Sequence, residues 1–128
     1  MLRPVRWVAS SRRNLRALPK SVRQKVGFAL YFAQYGQKHE SAKPLRAFGG
    51  AGVLEVVEDY DRGTYRAVYT VRFSEAVYVL HVFQKKATKG IATPKADLDL
   101  VKRRLKNAQH HYEQNYRRVK DVKEDRDA

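Results

Sequence analysis

Arg66, Lys85 and Lys86 are the side chains through which this sequence could act on a phosphodiester. They fall at the ends of two apolar stretches that read as paired strands. In the second stretch Tyr65, Ala67, Tyr69, Val71 and Phe73 alternate with Arg66, Val68, Thr70 and Arg72, the period of two expected of a sheet. A turn at Ser74-Glu75-Ala76 admits two registers. With Phe73 opposite Val77, Arg66 faces Gln84 and lies diagonal to Lys86; with Phe73 opposite Tyr78, Arg66 faces Lys85 directly. Either register gathers three cations with no acid between them. Like charges opposed across strands destabilise the pair, so an anionic ligand is the better explanation.

Metal-free cleavage of RNA needs activation of the ribose 2′-hydroxyl, stabilisation of charge on the phosphoryl oxygens, and protonation of the leaving 5′-oxygen. Arg66 can grip a phosphate bidentately, while each lysine acts as a point charge. Alternation sends only one lysine to the face of Arg66, which is Lys86 in the longer-loop register. A lysine crowded by cations has its charged form disfavoured and can serve as acid or base nearer neutral pH. The structural alternative is that Lys85 and Lys86 merely protect a sheet edge. His81 is the only histidine inside a strand, and its period groups it with Val79 and Phe83. It is a core residue if that face is buried and the natural proton carrier if it lines a cleft; the apolar neighbours favour burial. Tyr65 and Tyr69 share a face and could stack on a base or pack in the core. Lys43 and Arg46, in a loop, and Arg72, on the face of Arg66, are candidate RNA-backbone contacts. His39 and the His110-His111 doublet lack the spacing and partners of a metal site, and no cofactor motif is present.

Those side chains need a scaffold. At 128 residues the chain suits one domain with a single core. Twenty-seven Lys and Arg against 13 Asp and Glu give a formal charge of +14, far more than solubility requires, and point to nucleic acid or an acidic protein as partner. Without cysteine there is no disulfide framework, thiolate nucleophile or Cys-based zinc site. No stretch has the apolar run of a signal peptide or membrane span, so a cytoplasmic protein is expected.

The pattern predicts a strand near Pro4 to Ala9, Ser10 or Ser11 capping a short helix, and Pro19 opening a second helix to about Tyr35. That helix carries an apolar stripe of Val22, Val26, Ala29, Leu30 and Ala33 and stops at Gly36. Residues 37–52 show no period. Strands are expected over 53–58, 65–73 and 77–84, with a turn at Asp61-Arg62-Gly63. Thr93 is expected to cap, and Pro94 to open, a last helix with Leu98, Val101, Leu105, Ala108 and Tyr112 on one face. The order β-α-α-β-β-β-α suits an α+β domain in which a small antiparallel sheet packs against an N-terminal helical hairpin and a C-terminal helix. Residues 1–115 form that single domain, and 116–128 are a charged tail expected to fray.

Taken together, these marks resemble the RelE/ParE superfamily of type II toxins, closest to its HigB-like branch. The resemblance covers about 7–108. It rests on Ser-Arg-Arg-Asn-Leu-Arg-Ala-Leu-Pro at 11–19, Lys43-Pro44-Leu45-Arg46 before a Gly-rich turn, Leu54-Glu55, Tyr65-Arg66-Ala67-Val68-Tyr69, residues 79–86, and Thr93-Pro94 with Asp97-Leu98. One position departs: Val57 stands where that branch usually carries arginine. The resemblance implies a RelE-like toxin fold and an mRNA-cleaving toxin, often acting on the ribosome and held by a cognate antitoxin. It implies catalysis by basic residues with a tyrosine or histidine, which singles out Tyr69. Two other functions fit the same fold and charge: a ParE-like inhibitor that binds DNA gyrase without chemistry, and a plain nucleic-acid-binding module.

Overall fold

A computed structural model describes residues 2–49, 52–85 and 93–117. Its elements run β1 (Val5–Trp7), α1 (Ser11–Arg16), α2 (Lys20–Gln34), β2 (Ala42–Pro44), a 3-10 turn (Arg46–Phe48), β3 (Val53–Tyr60), β4 (Gly63–Thr70), β5 (Val77–Lys85) and α3 (Lys95–Tyr112). A π-helical turn (Glu113–Arg117) extends α3.

The five strands form one sheet in the order β1-β5-β4-β3-β2. The expected antiparallel ladder is present, but β1 lies parallel to β5, so the sheet is mixed. The short β2, which pairs antiparallel with β3, has no periodic signal because it is three residues long and ends in proline. Asp61 and Arg62, at φ 47° and 66°, form the two-residue turn between β3 and β4, with both central residues left-handed as a type I′ hairpin requires.

Helices cover both sheet faces. On one, Val22, Val26, Ala29, Leu30 and Ala33 of α2 pack on Leu54, Val56, Ala67, Tyr69, Val79 and Val82. On the other, Val101, Leu105 and Ala108 of α3 pack on Val53, Val68, Tyr78 and Leu80. Both stripes therefore lie where their three- and four-residue spacing puts them. Gly36 ends α2 at φ 79°.

Two local expectations are corrected. Thr93 does not cap α3: Pro94 occupies the N-cap position and the Thr93 hydroxyl turns instead to Glu55 and Arg66. Tyr116 is not part of a frayed tail. It stacks on Tyr112 at 5.3 Å, and its hydroxyl accepts a 2.6 Å hydrogen bond from Arg6 Nε. Residues 118–128 lie outside the described residues.

The register differs from both sequence alternatives. Thr64 pairs with Lys85, Arg66 with Phe83 and Val68 with His81, after which a bulge shifts the pairing so that Tyr69 meets Val79. Leu80 is the additional residue. A bulge inserts one residue on one strand and so reverses the face of everything beyond it. His81 consequently lies on the α3 face with Val68, while Val79 faces α2; the simple period that grouped the two does not hold across Leu80.

Candidate functional site

The α3 face is built in rows across the strands. Lys43 on β2, Glu55 on β3, Val68 on β4 and His81 on β5 are successive Cα partners and so share that face. The next row holds Val57, Arg66 and Phe83, and the one after it Asp59, Thr64 and Lys85. The N-terminal end of α3 closes over the first two rows through Thr93 and Asp97.

Arg66 is 2% exposed, and Glu55 is the acid that the sequence reading left out. Arg66 Nη1 donates to Glu55 Oε2 at 3.1 Å and to Thr93 Oγ1 at 3.0 Å, and Thr93 Oγ1 donates to the same carboxylate oxygen at 3.2 Å. The expected acid-free cluster is thus corrected. Its central cation is buried against a carboxylate, because Glu55 and Arg66 lie one row apart on adjacent strands and a guanidinium out of water requires a counter-charge. Lys85, half-buried, shares the face of Arg66 one row on, opposite Thr64. Of the doublet it is Lys85 whose register puts it there. Lys86 lies outside the described residues.

His81, 6% exposed, stacks on Phe83 with ring centroids 4.4 Å apart. Its Nε2 is 2.8 Å from Asp97 Oδ1, and Arg104 Nη1, which donates to the Leu80 carbonyl at 2.9 Å, sits 3.5 Å from His81 Nδ1. With Nε2–H given to Asp97, Nδ1 is left as the acceptor toward Arg104. Burial pulls the imidazole below its ordinary pKa against the opposing pull of Asp97. A base whose folded pKa is depressed stabilises the fold above its unfolded pKa, near 6.5, and loses that contribution as pH falls through the lower folded value. Urea midpoints are therefore expected to fall on acidification below about pH 6.5, and His81→Gln to flatten that part of the profile.

Tyr69 is on the opposite face, fully buried beneath α2, and is not brought to Arg66. Its hydroxyl has no hydrogen-bond partner among the described residues, and burial pushes the phenol up to about 12. An unpaired buried hydroxyl costs roughly 1–3 kcal/mol. Tyr69→Phe is accordingly expected to stabilise the protein by about 1 kcal/mol in chemical denaturation, to remove a phenol titrating near 12, and to leave any activity unchanged.

Lys43, Arg46 and Arg72 are all exposed. Lys43 projects from the row of Glu55; Arg46 opens the 3-10 turn just after β2, and Arg72 follows β4. Gly52, at φ 69°, lets the chain pass Arg72 so closely that a Cβ there would stand 3.2 Å from the Arg72 backbone. Sequence reasoning missed two polar clusters on this face, Glu55 and Thr93 around Arg66, and Asp97 and Arg104 around His81. The available signal was Glu55 set within the apolar run Val53 to Val57 of β3, matched by the single histidine of β5. Among the described residues no group of three or more His, Asp or Glu could hold a metal ion. No helix there is long and apolar enough to cross a membrane.

The chain is a small α+β domain with a five-stranded mixed sheet, consistent with the RelE-like fold. The family described as "Phage derived protein Gp49-like (DUF891)" matches residues 13–106, and the chain belongs to that family, which is RelE/toxin-like. The solved toxin–antitoxin complex RelBE2 from Mycobacterium tuberculosis is similar at 26% identity over 68% of this chain and 95% of that one, with a TM-score of 0.42. No curated protein matches.

Proposed function

We propose that this chain is the toxin of a type II toxin–antitoxin pair and acts as an endoribonuclease on mRNA, with the ribosome presenting the substrate. The observation that carries this reading, beside family membership, is the Arg66–Glu55–Thr93 network lying under a face edged by Lys43 and Lys85. Glu55, 16% exposed at its side chain, is the group that takes the 2′-hydroxyl proton. Arg66 and Thr93 fix that carboxylate through Oε2 and act as positioning residues. Lys43 and Lys85, with Lys86 beside it in sequence, offset charge on the phosphoryl oxygens, one of these lysines or water protonates the leaving 5′-oxygen as the P–O bond breaks, and Arg46 and Arg72 extend the cationic track. His81, held between Asp97 and Arg104, orients the floor of the site rather than touching RNA. The cognate antitoxin is the protein partner.

Primer extension on cellular mRNA after brief induction tests this. Cuts at in-frame positions that vanish when translation is blocked support a ribosome-dependent nuclease. Growth arrest without cuts transfers the chain to the gyrase-inhibitor class. Salt-sensitive binding with neither cuts nor arrest leaves only a nucleic-acid-binding module.

A further inference from the structure

Between β1 and the C-terminal half of α3 lies a hollow of about 330 Å³, lined by Arg6, Val8, Tyr78, Asn107, Ala108 and His111. Ligand pockets run from roughly 300 to 1,000 Å³, so this one has room for a single molecule of mononucleotide size. It is remote from the Glu55 network. Asp97, at that network's end of α3, and His111 stand about 21 Å apart along the helix at roughly 1.5 Å per residue.

Three polar side chains converge on the hollow, and two of them are held in place by partners that do not line it as ligands would. Arg6 gives its Nε–H to the Tyr116 hydroxyl at 2.6 Å and lies with its guanidinium carbon 5.6 Å from the centre of that ring, so the stem of the fork is fixed while the two Nη groups remain for a ligand. His111 Nδ1 is 2.7 Å from the hydroxyl of Tyr78, a residue only 2% exposed. Burial pushes that phenol up to about 12, so it stays protonated; with its O–H given to Nδ1, the imidazole keeps its hydrogen on Nε2, turned away from Tyr78. Asn107 is one turn before His111 on the same side of α3 and brings both a donor and an acceptor. Among the described residues no Asp or Glu lines the hollow.

These donors select the ligand. A wholly apolar molecule would desolvate Arg6, Asn107 and His111 without replacing their hydrogen bonds. A phosphate monoester offers several oxygens to a guanidinium fork and a ring N–H together. Val8, Ala108 and the Tyr78 ring supply apolar surface for a flat body, and the Asn107 amide can pair with a polar ring edge. We propose that this hollow binds a nucleoside monophosphate group, either a free nucleotide or the phosphorylated end of an RNA, with the phosphate between Arg6 and His111 and the base or sugar against Asn107. The inference stands apart from the nuclease reading, because none of these side chains belongs to the Glu55 site.

Titration calorimetry on the full chain tests it, at about 0.15 M salt, where distant surface charges are screened. Emission from Trp7, the chain's single tryptophan, which also lines the hollow, is followed alongside. At least one of the four nucleoside 5′-monophosphates should bind one per chain and change that emission, with the matching nucleoside and inorganic phosphate each roughly tenfold weaker or more. Arg6→Gln and His111→Gln should each lose about tenfold, as expected for a hydrogen bond to a charged group, with circular dichroism unchanged. Arg23→Gln, on α2 across the sheet, should bind as wild type does. Failure of all four monophosphates to bind would overturn the inference, as would full affinity in Arg6→Gln or an equal loss in Arg23→Gln. A 2′-O-methyl tetrauridine, which cannot be cut through its 2′-oxygen, separates the two sources. With a 5′-phosphate, tighter binding than uridine monophosphate assigns the site to an RNA end and weaker binding assigns it to a free nucleotide; equal binding with and without the 5′-phosphate shows that the phosphate is not read and overturns the proposal. Absence of mRNA cuts by the wild-type chain defeats the nuclease reading and leaves these binding results unaffected.

Discussion

Replacing Glu55 with glutamine is expected to abolish in-frame mRNA cuts in cells and to lower the cleavage rate by about 10²–10⁴, the range that a positioned general base supplies. The amide keeps the shape and can still accept from Arg66, but it cannot take up a proton. It also takes the carboxylate charge from beside Arg66 while keeping a hydrogen-bond acceptor there, at a cost of about 1.5–3 kcal/mol, less than when the whole side chain of one partner is lost. A domain of ordinary stability, about 5–15 kcal/mol, remains folded after that loss, so unfolding does not explain a hundredfold fall. Circular dichroism at the assay temperature checks the fold. Glu55→Asp, which keeps the charge on a shorter arm, should retain part of the rate. Cutting at wild-type speed by Glu55→Gln would remove Glu55 from the chemistry.

The second large effect is on stability. Arg66→Met strips the cation from a pair whose side chains are 2% and 16% exposed, leaving the Glu55 carboxylate facing a methyl group in a partly dry site. Breaking a buried pair from one side costs about 3–5 kcal/mol. For a domain of this size, that lowers Tm by roughly 10–20 °C in differential scanning calorimetry. Adding Glu55→Leu should restore most of the loss, because two apolar side chains of similar volume dispense with both desolvation penalties. If the double variant is no more stable than Arg66→Met alone, the energy resides in packing rather than in the ion pair. Activity should be absent from both, since the carboxylate is misplaced in one and missing in the other.

Much of this molecule was legible because its signals are local. The stripe of Val22, Val26, Ala29, Leu30 and Ala33 specifies a helix with one buried side whatever it packs on, and the alternation from Tyr65 through Thr70 specifies a strand. Arg66 was found because a cation in an apolar strand demands a reason. Its partner was not found, because Glu55 is eleven residues away and reaches Arg66 only through the β3–β4 register.

The sequence by itself determined the helices, the three long strands, the cationic excess and the presence of ionisable groups within apolar runs. Tertiary structure alone decided which of those groups meet. One inserted residue, Leu80, moves His81 to the face of Glu55 and Arg66, while Tyr69 stays with the α2 core. The physical reason is that side-chain direction in a strand has a period of two. A single bulge, set by pairing and packing across the sheet and carrying no local mark, therefore reassigns faces that short-range pattern can only count.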